Sequence, residues 1–227
     1  MIRLIEKISD KTALLLGNYT LLAFLLVQFF IVPFFPIEWH RVLFSIVITL
    51  VYLNLAVVII DYRKTLLYYV LILIILDGVF TVFGLTILSQ LSFVLNIVLF
   101  IAVVIKFITI IAQSKEVNMD VILDSINGYL LLAVLSTMLI NLVMSINPAA
   151  FAFNDAGVLH GGVSRVSEFQ YFGLVTLSTL GYGEITPITP PARSIATLIA
   201  VSGQLYIAII IALLVGKFSS QTKNNDD

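Results

Sequence analysis

Two glycines separated by one tyrosine, Gly181-Tyr182-Gly183, follow the hydroxyl-rich stretch Thr176-Leu177-Ser178-Thr179-Leu180 and lead into Glu184. Glycine opens backbone conformations closed to other residues, so two of them at alternate positions let successive carbonyls turn toward one axis. Such carbonyls can replace a hydration shell. A bare cation entering hydrocarbon faces a cost on the order of tens of kcal/mol, which oxygen dipoles placed where water oxygens had been offset. The chemistry to expect is coordination of a dehydrated cation by main-chain oxygen, with no covalent bond made or broken. Gly-Tyr-Gly alone reads better as a surface turn, and the surrounding chain reverses that reading.

That chain is built for lipid. Of 227 residues, 60% are apolar and 11% charged, against about half and a quarter in a soluble domain, and the mean hydropathy is +1.12. A soluble enzyme is excluded. Six apolar runs fall at about 12–35, 42–60, 65–88, 91–112, 125–146 and 191–217. At roughly 19 to 27 residues each covers the hydrocarbon core, and unsatisfied backbone groups in lipid force each to be a helix. The first run is too long for a signal-peptide core and ends in no small-x-small site. A net charge of −1 leaves no basic face for nucleic acid. With no Cys and only His40 and His160, neither a disulfide framework nor a zinc site is expected.

Alternating six spans across the bilayer puts most Lys and Arg, from Arg3 to Lys223, on one side and Arg41, Arg165 and Arg193 on the other. The richer side is cytoplasmic by the positive-inside rule, so both termini lie inside a multi-pass cell (inner) membrane protein. Between the fifth and sixth runs, residues 147–190 end in a stretch as apolar as a span but too short to be one, which reads as re-entrant. Ser167 and Gln170 have capping-box spacing, predicting a short helix from Glu168 to about Ser178 that carries Thr176 and Ser178. One chain supplies one strand of a coordinating sleeve, so a closed ring needs several copies about an axis, and four are expected.

Thr179-Leu180-Gly181-Tyr182-Gly183 resembles the potassium channel signature filter TVGYG, within the longer form T-x-x-T-x-G-Y-G-[DE] from Thr176 to Glu184. The resemblance runs from about Glu116 to Lys217 and takes in Asp120-Val121-Ile122-Leu123, Tyr129-Leu130-Leu131, Thr186-Pro187 and Gly203-Gln204-Leu205-Tyr206. The chain looks like a bacterial six-transmembrane potassium channel of the two-helix pore superfamily, lacking a charged voltage sensor. The resemblance implies an all-α membrane protein with six transmembrane helices, a re-entrant pore helix and filter between helices five and six, and a four-fold homotetramer. Potassium ions would sit at the backbone oxygens of Thr179, Leu180, Gly181 and Tyr182 and at the Thr179 hydroxyl, with no covalent cofactor. Tyr182 would brace the filter from behind. Residues 1–113 would form a sensor-like four-helix domain, 114–124 a cytoplasmic linker lying along the inner surface, 125–217 the pore domain and 218–227 a cytoplasmic tail. A cytoplasmic ligand-binding regulator would be a separate polypeptide.

Gly203 is by resemblance an inner-helix hinge; the competing reading is that it permits close packing. Ile207, Ile211 and Val215, spaced by four, would narrow the inner mouth. Leu180 and Glu184 replace the commoner Val and Asp, which selectivity should survive. Tyr171 and Phe172 stand where many relatives carry a Trp pair and Val175 where some carry a carboxylate, predicting a weaker cuff behind the filter. A ring of Glu184 carboxylates would gather cations at the outer mouth.

The fourth run carries one basic residue, Lys106. Even crossing the full field in four subunits it would supply about 9 kcal/mol per 100 mV, against about 28 to 37 for three or four charges each, so steep voltage gating is not expected. Asp77, mid-span, needs a partner, and Lys106 is the expected one; the competing readings are that Lys106 snorkels to the inner surface or that the site is a regulatory proton or ligand site. Three rival functions remain: a non-selective sodium and potassium channel, which intact Tyr182 and Gly183 argue against; a sensor or accessory subunit with a non-conducting pore; and a potassium transporter subunit, which usually carries several filter-like loops per chain.

Overall fold

The computed structural model describes residues 2–59, 68–69, 71–72, 86–114, 116–153 and 166–226. Helix α1 (Ile2–Leu26) passes into a π turn (Val27–Ile31) and a 3-10 turn (Val32–Phe34). Pro33 lies in that 3-10 turn, where its missing N–H and its ring forbid a further α turn. Then follow α2 (Ile37–Val58), α3 (Thr86–Gln113), α4 (Met119–Ile146), α5 (Val166–Leu177) and α6 (Pro190–Asp226), with strands β1 (Phe151–Phe153) and β2 (Ile185–Pro187) flanking α5. Among the described residues five helices are long and apolar enough to cross a membrane. The expected third span, 65–88, and with it Asp77, lies largely outside the described residues. The expected Asp77–Lys106 pairing thus lies outside the described residues.

Helix α4 begins inside the stretch expected as a linker, 114–124. Asn118 caps α4, its side-chain oxygen accepting the Val121 N–H at 3.1 Å, so the helix begins at Met119. Only Ser114 to Asn118 separate α3 from α4. Asp124, expected on a surface linker, is instead 5% exposed. It accepts the Asn18 amide at 2.8 Å, and Asn127 donates to the Asn18 carbonyl at 3.0 Å. Polar groups that could not be left unpaired in an apolar core thus fasten α1 to α4. At the far end Asn147 precedes Pro148, which confines it to an extended conformation and stops α4.

The core lies between α1, α2, α3, α4, α5 and α6, with Leu55, Phe100, Phe107, Leu131, Ile140, Leu177 and Ile199 fully buried. α1 and α3 pack on α4 of their own chain. Tyr206 on α6 donates to the Ser125 carbonyl at 2.8 Å, and Gly128 leaves the space its ring needs, since a Cβ there would lie 2.3 Å from the Tyr206 hydroxyl. Near its end α6 is held again: the Lys217 ammonium donates to the carbonyls of Ile111 and Ala112 and to the Ser114 hydroxyl, the last at 2.9 Å. A cation on the unsatisfied carbonyls of a helix C-terminus is favourable for both charge and hydrogen bonding.

The sequence reading held only helices, and the two strands are an addition. β1 and β2 pair antiparallel, Phe151 opposite Pro187 and Phe153 opposite Ile185. They return the chain after the glycine-rich stretch to the end of α4, where the Ile188 N–H also reaches the Ala150 carbonyl at 2.8 Å.

Candidate ion-coordinating site

α5 ends in a specific way. The Thr179 N–H bonds to the Thr176 carbonyl at 3.1 Å and the Leu180 N–H to the Val175 carbonyl at 2.9 Å. With Thr179 at φ +62, this is the Schellman arrangement, in which one residue in the left-handed region turns the chain out of a helix and satisfies its last carbonyls. Glycine usually occupies that position; here a β-branched threonine does. The left-handed region costs such a residue on the order of 1–3 kcal/mol, a cost native structures retain chiefly at functional sites.

The sign of φ then alternates. Among residues 179–183, Thr179, Gly181 and Gly183 have positive φ, at +62, +54 and +91, while Leu180 and Tyr182 do not. In an ordinary strand successive carbonyls point to opposite sides; a φ whose sign reverses at every second residue departs from that pattern. The alternating stretch begins where α5 stops. Leu180 and Tyr182 are 60% and 69% exposed, so among the described residues little packs against Tyr182.

α5 is aimed and held by its neighbours. Gly173 faces Ser136 and Ile140 on α4, with space for a Cβ only at about van der Waals limits, 3.3 and 3.4 Å. At its C-terminal end Gly203 of α6 lies beneath Leu177: a Cβ on Gly203 would stand 2.1 Å from the Leu177 carbonyl oxygen. The contact sets Gly203 against the end of α5, where the packing reading asks for a small residue. Nothing in the sequence distinguished that role from a hinge, because the contact is set by two elements meeting. The Ser178 hydroxyl bonds back to the Val175 carbonyl at 3.2 Å, finishing the helix end.

The capping box expected from Ser167 and Gln170 is not what Ser167 does. The helix starts at Val166, and the Ser167 hydroxyl lies 3.2 Å from His40 Nδ1 on α2. Tertiary contact here takes the hydroxyl that local spacing offered to the helix's own amides.

On the other flank the Glu184 carboxylate beside Tyr171, with a smaller part from burial, pushes the Tyr171 phenol up to about 12 from 10.0. The raised value favours the protonated phenol, so the coupling's contribution is complete below about pH 10 and fades as pH climbs toward 12. Tyr171 on the helix and Glu184 after the glycines are thus electrostatically coupled. Replacing Tyr171 with Phe removes the hydroxyl and keeps the ring; under sustained potassium load, ion flux should decay about threefold faster than in the parent. An unchanged decay rate in reconstituted vesicles would take this coupling out of the site's support.

Residues 130–220, less than half of the chain, match the family model described as Ion channel. A segment of 56 residues is 34% identical to Potassium voltage-gated channel subfamily A member 10 of Homo sapiens, covering 25% of this chain and 11% of that protein. Inward rectifier potassium channel Kirbac3.1 of Paramagnetospirillum magnetotacticum is 36% identical over 52 residues, 23% of this chain and 18% of that one. Potassium channel K1 of Plasmodium berghei is 46% identical over 35 residues, 15% of this chain and 2% of that one. The chain therefore spans less than a fifth of the length of these relatives. No solved structure matches. What is similar is the segment that holds α4, α5, the alternating stretch and α6: within a chain of several membrane-length helices, residues 130–220 resemble the pore segment of ion channels, and the named relatives are potassium channels.

Proposed function

We propose that this protein is a potassium-selective channel in which four copies meet about an axis and line it with the carbonyls of Thr179, Leu180, Gly181 and Tyr182 and the Thr179 hydroxyl. The observation that carries the reading is the alternation of handedness through residues 179–183, anchored at its start by the end of α5. The negative end of α5 stands at the start of that row, where it would favour a cation in a central cavity. The exposure of Leu180 and Tyr182 in a single chain supports further copies as the missing neighbours. On the same chain Ile207, Ile211 and Val215 form an exposed stripe along α6 while Gly203, Tyr206 and Ile210 are buried, which fits one face of α6 turned to the chain's own core and another to the axis. Glu184 follows the row directly, and a ring of four carboxylates there would concentrate cations at the entrance. The comparisons support potassium as the ion, because the relatives of this segment bear that name. The ion moves down its gradient, without catalysis.

Both termini are assigned to the cytoplasm and the row's Glu184 end to the outside. With a single lysine on α3, opening is weakly dependent on voltage.

The test is flux through the purified full-length protein in liposomes, with reversal potential measured in mixed potassium and sodium. A reversal near the potassium equilibrium potential is expected. A reversal midway would replace the proposal with a non-selective cation channel, and absence of flux with a non-conducting sensor or accessory subunit.

A further inference from the structure

His40 is 6% exposed, an ionisable ring enclosed at the N-terminal end of α2, and the proposed conduction path does not use it. Both of its nitrogens are engaged. Nε2 lies 2.7 Å from the Phe35 carbonyl, which only accepts, so Nε2 carries the hydrogen. In the neutral ring Nδ1 is then the acceptor, and the Ser167 hydroxyl donates to it at 3.2 Å. The ring stacks edge-on to Phe44, centroids 6.0 Å apart, within the small cluster of Val32, Phe44 and Val47 against which Val166 packs. One imidazole therefore joins the turn before α2 to the first turn of α5, whose other end is the Schellman turn at Thr179.

We propose that His40 is a proton-binding site through which outside pH controls the coordinating stretch; this rests on the reading of residues 179–183 as an ion filter with its Glu184 end outside. Histidine is the side chain suited to the task, since its charge changes within the physiological range. A proton on Nδ1 turns the acceptor into a donor. The Ser167 hydroxyl must then accept, and its own hydrogen must find another partner. At the same time a positive charge arrives at a helix N-terminus, where the unpaired N–H groups are already positive. Charged side chains on the two elements are Glu38 and Arg41 on α2 and Glu168 on α5. Arg41's side chain, and Arg165 with the rest of the segment before α5, lie outside the described residues. Because α5 is a single rigid helix of 12 residues, a change at Ser167 is delivered to Thr179, and conduction falls.

The experiment uses the full-length protein in liposomes with the two sides buffered separately, and compares the parent with H40Q and S167A. His40→Gln keeps a neutral donor and acceptor; Ser167→Ala keeps the ring and cuts its link to α5. Lowering outside pH from about 7.5 to about 5.5 should reduce potassium flux about threefold in the parent and leave both variants nearly unchanged. Amide hydrogen exchange of residues 166–177, corrected for its intrinsic pH dependence, should quicken in the parent alone, which reads the coupling without requiring conduction. A parent whose exchange and flux ignore outside pH overturns the proposal, as does a response that persists in S167A. PH-dependent exchange that vanishes in the variants, in a protein that passes no potassium, upholds the proton site and fails the channel reading.

Discussion

Gly181→Ala should abolish potassium flux while leaving the protein folded and assembled. Gly181 sits at φ +54, and a Cβ there would meet nothing within 4 Å in its own chain. The penalty is therefore conformational. The left-handed region costs a residue with a Cβ about 1–2 kcal/mol, so four copies about the axis cost about 4–8 kcal/mol, enough to depopulate the coordinating state by a factor on the order of a thousand or more. The backbone has an easier alternative, which is to relax 181 to negative φ and break the alternation. Flux assays and size-exclusion profiles of parent and variant check both halves of this expectation. Near-normal flux through Gly181→Ala would mean that alternation of handedness is not what conducts.

Gly203→Ala is expected to act on the same place from the other side. A Cβ at 203 would stand 2.1 Å from the Leu177 carbonyl oxygen and 3.0 Å from its carbonyl carbon. The obstacle is backbone, so no trimming of the Leu177 side chain relieves it. Overpacking of this kind costs about 1–3 kcal/mol per site, and the shift it forces falls on the last turn of α5, two residues before Thr179. We expect lower thermal stability, together with reduced unitary conductance and weakened preference for potassium over sodium. A hinge at Gly203 predicts something different: altered open probability with conductance and selectivity intact. Single-channel recording separates the two, and a change confined to open probability would restore the hinge.

These contrasts show where the amino-acid sequence is eloquent and where it is silent. The apolar runs become helices because lipid leaves no other way to satisfy a backbone, and Thr176 to Glu184 points to coordination because glycine spacing is a local property. The π and 3-10 turns around Pro33 and the early start of α4 at Asn118 are shifts of boundary, where capping and proline chemistry override an apolar count. Three features had no local signal at all. Asp124 reads as a linker acid until Asn18, far away in sequence, is placed against it; Ser167 reads as a cap until His40 takes its hydroxyl; Thr179 reads as a coordinating side chain, with nothing to say that it also ends a helix in the left-handed region. Each depends on where separate segments meet.

The short step from Ser114 to Asn118, with α1 and α3 resting on α4 of the same chain, bears on inheritance. Each quarter of the proposed ring would be a self-contained unit, carrying its own peripheral helices instead of lending them to a neighbour. In a mosaic ring of intact and crippled subunits, harm done to the peripheral helices of one would stay in that quadrant, and impairment should grow in proportion to the number of damaged copies.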